Sequence, residues 1–261
     1  MNNIKPKYPI KVILTTSNIL DYFIKKGSTV TITELSEKLN IYPSTVHRIL
    51  DTLSYLNYID KCPDSDHYQL GIKSLELGMA KLSQINLVKE TMPFLAEISM
   101  KYHENVYLGI LFENTIFYLA KKEYPRKIQL MTHLGDRASF NCTALGKILI
   151  AFLPKDERKK IYLNVGFHKC TENSIVNEKK YEEEINKVKI QGFAMDNEEY
   201  EKDVTCIAAP VKNHYGQVVA AISISGPSYR FDAKKIEQIK FEIVNYAQKI
   251  SVNLGYKEKN I

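Results

Sequence analysis

From residue 12 to residue 26 apolar side chains recur at helical spacing, Ile13, Ile19 and Leu20, then Phe23 and Ile24. That spacing predicts a helix stopped by Gly27 as a left-handed cap. Thr31-Ile32-Thr33-Glu34 has the form of a capping box, in which the Thr31 hydroxyl and the Glu34 carboxylate each satisfy an orphan amide. A short helix over residues 32–39 should follow. Asn40, which tolerates positive φ, marks a tight turn, and Pro43 suits the first position of another helix. That helix covers about residues 43–56, with Val46, Ile49, Leu50 and Leu53 as one apolar stripe. Two short helices across a tight turn make a helix-turn-helix outline. Residues 58–60 and 67–70 then read as strands around the polar turn 61–66, which is a wing, and Gly71 ends the first domain.

Residues 74–100 are helical again through Leu75, Leu77, Met79, Leu82, Ile85 and Val88, with Pro93 starting or kinking the next segment. Many of these side chains have no evident cover in so small a first domain, so a partner chain is the expected cover. Beyond them the pattern alternates in type. Strand-like runs are 106–112, 115–121, 127–131, 193–195, 206–211 and 218–225. Hairpin turns are marked at Glu113-Asn114 and at residues 214–217. Helices are expected near 143–152, 156–162, 178–191 and 232–253. Strands joined by tight turns and flanked by helices give an α+β class with a mainly antiparallel sheet.

A length of 261 residues favours two domains. With 44% hydrophobic and 25% charged residues, extended disorder is disfavoured. Apolar runs such as 148–153 are too short to span a bilayer, and no apolar stretch or cleavage site follows the basic first residues. A cytoplasmic protein is therefore expected. The net charge of +6 permits nucleic-acid binding without demonstrating it. Eight Lys/Arg face seven Asp/Glu over residues 1–72, so a case for DNA rests on pattern. Cys62, Cys142, Cys170 and Cys206 are scattered, with no Cys-x-x-Cys pair and no compact His pattern. Buried free thiols, no metal and no cofactor are the expectation.

Residues 33–39, Thr-Glu-Leu-Ser-Glu-Lys-Leu, followed by residues 44–53, Ser-Thr-Val-His-Arg-Ile-Leu-Asp-Thr-Leu, resemble the DNA-binding domain of IclR-family regulators. The resemblance continues through Thr143-Ala144-Leu145-Gly146-Lys147 and Gln191-Gly192-Phe193-Ala194 with Asp196, Glu198 and Glu199. It runs on through residues 206–211 to residues 221–227 and Arg230, so that about residues 10–250 are covered in the family's order. Asn40 and Asp203 stand where the family commonly has Gly, and Ala138 where it commonly has Pro. The resemblance implies a winged helix-turn-helix domain (1–72), a linker helix (73–92) and an effector-binding and oligomerisation domain (93–261). It also implies a homodimer or dimer of dimers on double-stranded operator DNA, and a small-molecule effector, a small organic acid.

By the same resemblance the helix from Pro43 enters the major groove. Ser44, Thr45, His47 and Arg48 then face the bases, since Arg bonds guanine or phosphate bidentately and hydroxyls serve either. Tyr42 is placed at the backbone, and the wing, with Lys61 and His67, positions rather than specifies. The alternatives are capping by Ser44 and Thr45 and a local salt bridge for Arg48. For the effector, the motif match gives the backbone amides of Ala144 and Leu145, at a helix start that attracts anions, with Asp196, Cys206, Ser223 and Ser225. The two serines alternate with Ile222 and Ile224, so both hydroxyls project from one sheet face. Backbone or water could equally satisfy the serines, and Cys206 could be ordinary packing.

Enzyme readings are weaker. Gly146-Lys147 lacks the first Gly and the Ser/Thr of a phosphate loop. Cys206 and His214 are separated by a turn. Asp196, Glu198 and Glu199 read as solvated charge on a loop. A binding protein is expected, a ligand-responsive repressor. The alternative is a constitutive DNA-binding protein whose C-terminal domain only oligomerises.

Overall fold

The computed structural model describes residues 7–83, 86–126 and 132–257. The chain divides into two compact units, Met1–Gln84 and Ile85–Ile261.

In the first unit α1 (Lys11–Lys26) ends on Gly27 at φ 64°, whose amide donates to the Phe23 carbonyl at 3.0 Å. Strand β1 (Val30–Thr31) leads directly into α2 (Ile32–Leu39), capped by the Thr31 hydroxyl, which accepts from the Glu34 amide at 3.2 Å. The Glu34 carboxylate is taken up by Lys26 and by the Tyr22 hydroxyl. Asn40 adopts φ 52°, so the left-handed turn is made without glycine. Helix α3 (Pro43–Tyr55) buries all four expected stripe residues, Val46, Ile49, Leu50 and Leu53. They pack with Ile19 and Phe23 of α1 and Leu35 of α2. The wing strands β2 (Ile59–Lys61) and β3 (His67–Leu70) pair antiparallel, and β1 pairs with the outer side of β3. Ile13 and Ile24, counted in the helical pattern of α1, are exposed.

The helix expected over residues 74–100 is described as α4 (Ile72–Ser83) in the first unit and α5 (Asn86–Tyr102) in the second. Pro93 lies inside α5.

Among its described residues the second unit builds a six-stranded antiparallel sheet in the order β6-β5-β4-β9-β8-β7. Its strands are β4 (Asn105–Phe112), β5 (Thr115–Lys122), β6 (Arg137–Ala138), β7 (Ala194–Asn197), β8 (Val204–Lys212) and β9 (Val218–Pro227). The expected strand over 127–131 lies outside the described residues. Glu113 and Asn114 both take positive φ, 48° and 65°, as a two-residue hairpin turn demands.

Alternation along the strands builds two cores. Val106, Leu108, Ile207, Ile222 and Ile224 pack under α5 and α9 (Ala233–Asn253). On the other face Tyr107, Tyr118, Ala208 and Ala221 meet α6 (Ala144–Ala151), α7 (Lys155–Val165) and α8 (Glu178–Gln191). Every residue of α6 is buried. Gly146 makes that depth possible, because a Cβ there would lie 2.1 Å from the Phe140 carbonyl oxygen.

Candidate effector cavity and nucleic-acid interface

The α6 face of the sheet carries a row of polar side chains where β7, β8, β9 and β4 lie side by side. Asp196 is paired across from Cys206, Cys206 from Ser225, and Ser225 from Asn105. In the next row Ser223 lies opposite Tyr107 and Ala208. As the alternation required, Ile222 and Ile224 enter the opposite core. Over these rows sits the start of α6. The Thr143 hydroxyl caps it, accepting from the Gly146 amide at 3.1 Å. The amides of Ala144 and Leu145 precede the first intrahelical acceptors, so helix geometry gives them no partner of their own.

Between helix start and sheet lies a small cavity of about 30 Å³, partly open to solvent. Ala144, Leu145, Asp196, Cys206, Ser223 and Ser225 all line it. The structure thus brings together all six residues that the resemblance singled out, from four separated stretches of chain. Tyr107, Tyr118 and Thr132, with Thr143, Tyr200 and Glu201, complete most of the lining. Apart from Thr143, which belongs to the matched block, sequence reasoning missed these residues. A signal for Tyr107 was available, because it alternates with Val106 and Leu108 and so shares a face with Gly109. A Cβ at Gly109 would lie 2.9 Å from Leu145 Cδ1, so that glycine admits the helix.

The lining is hydrogen-bonding and carries two carboxyls, Asp196 and Glu201. No Lys, Arg or His is among its described lining residues. Asp196 is buried, and that burial pushes its carboxyl up to about 7 even though its Oδ1 accepts from the Glu199 amide at 2.7 Å. Burial also raises the Tyr107 and Tyr118 phenols and, with Asp196 alongside, the Cys206 thiol. Each is therefore a hydrogen-bond donor at neutral pH. Among the described residues the Ser223 hydroxyl is in no hydrogen bond.

Behind the cavity Lys147 of α6 is 1% exposed. Its Nζ donates to Glu199 Oε1 at 2.5 Å and to the Met195 carbonyl at 2.7 Å, which ties α6 to the edge strand carrying Asp196. Reading Asp196 and Glu199 as solvated loop charge is therefore corrected, for both are buried. Glu198, the third of them, is half-buried. Buried thiols hold only for Cys142: Cys62 and Cys206 are half-buried and Cys170 is exposed.

On the first unit Ser44, Thr45, His47 and Arg48 are exposed along α3, and Lys61 and His67 along the wing. Tyr42 is 83% exposed. It occupies the cap position of α3, and no side chain caps that helix, so Ser44 and Thr45 are not used in that way. Arg48 enters no salt bridge among the described residues. The alternatives to nucleic-acid contact at these positions are thus unfilled.

The family model for the IclR helix-turn-helix domain matches residues 16–62, and that for the bacterial transcriptional regulator IclR C-terminal domain matches residues 79–252. The chain belongs to the IclR family. It is 34% identical over 227 residues to the HTH-type transcriptional regulator KdgR of Escherichia coli, covering 87% of this chain and 86% of that one. It is 26% identical over 239 residues to the HTH-type transcriptional repressor AllR of Klebsiella pneumoniae, covering 92% and 88%. Among solved structures, the Thermotoga maritima IclR superposes with a TM-score of 0.76 at 30% identity, over 94% of this chain and 99% of that one. The IclR-family chain is accordingly a DNA-binding transcriptional regulator carrying the IclR C-terminal domain, and its family is one of regulators, not enzymes. No helix among its described residues is long and apolar enough to cross a membrane.

Proposed function

We propose that this IclR-family regulator is a repressor whose affinity for double-stranded operator DNA is set by a small organic acid in the α6 cavity. The observation that carries the reading is the convergence of free helix-start amides, buried hydroxyls and a carboxyl near neutrality on one small cavity. A carboxylate suits the amides of Ala144 and Leu145, where the helix dipole favours negative charge. Ser223, Ser225 and the tyrosine phenols suit hydroxyl or carbonyl oxygens further along the ligand. Asp196 fits either as a neutral acid that donates to the ligand, or as an acceptor for a ligand hydroxyl. Repression is in keeping with the name of AllR.

In this reading α3 lies in the major groove, with Ser44, Thr45, His47 and Arg48 toward bases and Tyr42, Lys61 and His67 toward the backbone. The protein acts as a homodimer or a dimer of dimers. The exposed apolar side chains of α1 (Val12, Ile13, Leu14) and α4 (Leu75, Leu77, Met79) support it, since water is a poor cover for so many. Ligand acts through its differential affinity for two arrangements of the protein, changing DNA affinity by the same factor.

The test is a melting series of the full chain against hydroxy acids, oxo acids and sugar acids, followed by gel-shift titration at fixed salt with each acid that raises Tm. An acid that raises Tm should weaken operator binding, and the double variant S223A/S225A should lose both effects while still binding DNA. Failure of every acid to move Tm would overturn the effector assignment.

A further inference from the structure

Cys142 immediately precedes Thr143, the cap of α6, and is fully buried. Its Sγ donates to the His168 carbonyl at 3.3 Å. From His168 the chain turns sharply, with the amides of Cys170 and Thr171 donating to Ser174 Oγ at 3.0 and 2.9 Å. That turn sets Cys142 Sγ against the Cys170 amide, the Cys170 thiol and the Ser174 hydroxyl. Cys170 itself is exposed. One thiol therefore meets solvent, and the other is buried against the first and its turn.

The turn also grips the far wall of the cavity. Thr171 Oγ1 donates to the Glu198 carbonyl and Ser174 Oγ to the Glu199 carbonyl, each at 2.7 Å. These carbonyls lie between Asp196 and Tyr200, both of which line the cavity.

We propose that Cys142 and Cys170 are a redox-modified pair, closed to an intramolecular disulfide by hydrogen peroxide. Cys170, the exposed sulfur, reacts first as its thiolate. It attacks one peroxide oxygen, the O–O bond breaks, and Cys170 sulfenic acid and one water result. The Cys142 sulfur then attacks the Cys170 sulfur. The S–S bond forms, the S–O bond breaks, and the departing hydroxide leaves as a second water with the Cys142 proton. Two thiols lose two electrons and two protons, and the peroxide is reduced to two waters. The order follows from burial, which with neighbouring Cys170 pushes the Cys142 thiol up to about 12 and keeps it from being the first nucleophile. The bond would tie the residue before the α6 cap to the turn that holds residues 198 and 199, fixing both cavity walls. The covalent step stands apart from the effector assignment, and only this consequence rests on it.

The experiment treats the full chain with stoichiometric hydrogen peroxide, alkylates it after denaturation, digests it and maps peptides by mass spectrometry. The expected product is a Cys142–Cys170 linked peptide lacking two hydrogens, reversed by dithiothreitol and unaffected by C62S or C206S. C170S, at an exposed position that leaves packing intact, should abolish it. In C142A the reaction should halt at a Cys170 sulfenic acid that dimedone traps. The proposal is overturned if Cys142 of the peroxide-treated wild type remains fully alkylatable. That would hold whether Cys170 had gone on to sulfinic acid or had joined the Cys170 of a second chain.

Discussion

Two buried ionisable side chains, Asp196 in the cavity wall and Lys147 behind it, have different partners. Lys147 meets Glu199 and a backbone carbonyl, the partners that a buried ammonium requires. Asp196 has amides but, among the described residues, no cation in direct contact, and its carboxyl rises from 3.8 to about 7. Because the folded value lies above the unfolded one, the fold favours the protonated acid. The stabilisation is full below about pH 4 and is lost as pH rises through 7. Wild type should therefore melt lower at pH 8 than at pH 5.5 by more than D196N does. The Asn amide keeps the acceptor without the charge. A difference of a few degrees is expected, since ~1 kcal/mol corresponds to about 2–4 °C at this size. Equal pH dependence of wild type and D196N in calorimetry would remove the assignment. Nothing in the spacing of residues 196–199 told which acids are buried. Exposure of a carboxylate is decided by what packs over it, here Lys147 from a helix some fifty residues earlier.

At the scale of elements, the helices were legible because their signals are local. Caps, stripe residues and stops lie within one turn of each other, and α8 begins and ends where its pattern does. Strand β1 was not legible, because two residues become a strand only by pairing with β3. Asn40 and Asp203, at φ 52° and 61°, show that both turns keep the left-handed backbone where the family's glycine is replaced. Helix α3 offers the sharpest test at this scale. Arg48→Ala removes an exposed guanidinium that stabilises nothing within the unit. Tm should therefore stay unchanged while operator affinity falls by about 1–3 kcal/mol in gel shift at fixed salt. Loss confined to one base position, with an unchanged salt slope, would mark a base contact rather than a phosphate contact.

For the whole molecule the expectation is a dimer presenting two copies of α3 to a two-fold related site. Ile13→Glu, at a position 60% exposed in the single chain, should leave its unit folded and break the pairing. Light scattering should then show monomer, and operator affinity should drop roughly a hundredfold as the second half-site contact is lost. A dimer that survives this change would place the interface elsewhere. What the order of residues alone determined was most of the helices, the antiparallel class of the sheet, and the family with its candidate positions. These follow from near-neighbour periodicity and from ordered motifs. What only tertiary structure decided was that Tyr107, Tyr118 and Tyr200 share a cavity with Asp196, that Lys147 lies behind it, and that Cys142 lies against Cys170. Those are contacts between segments distant along the chain, and their energies come from burial and mutual packing, which have no counterpart in local spacing.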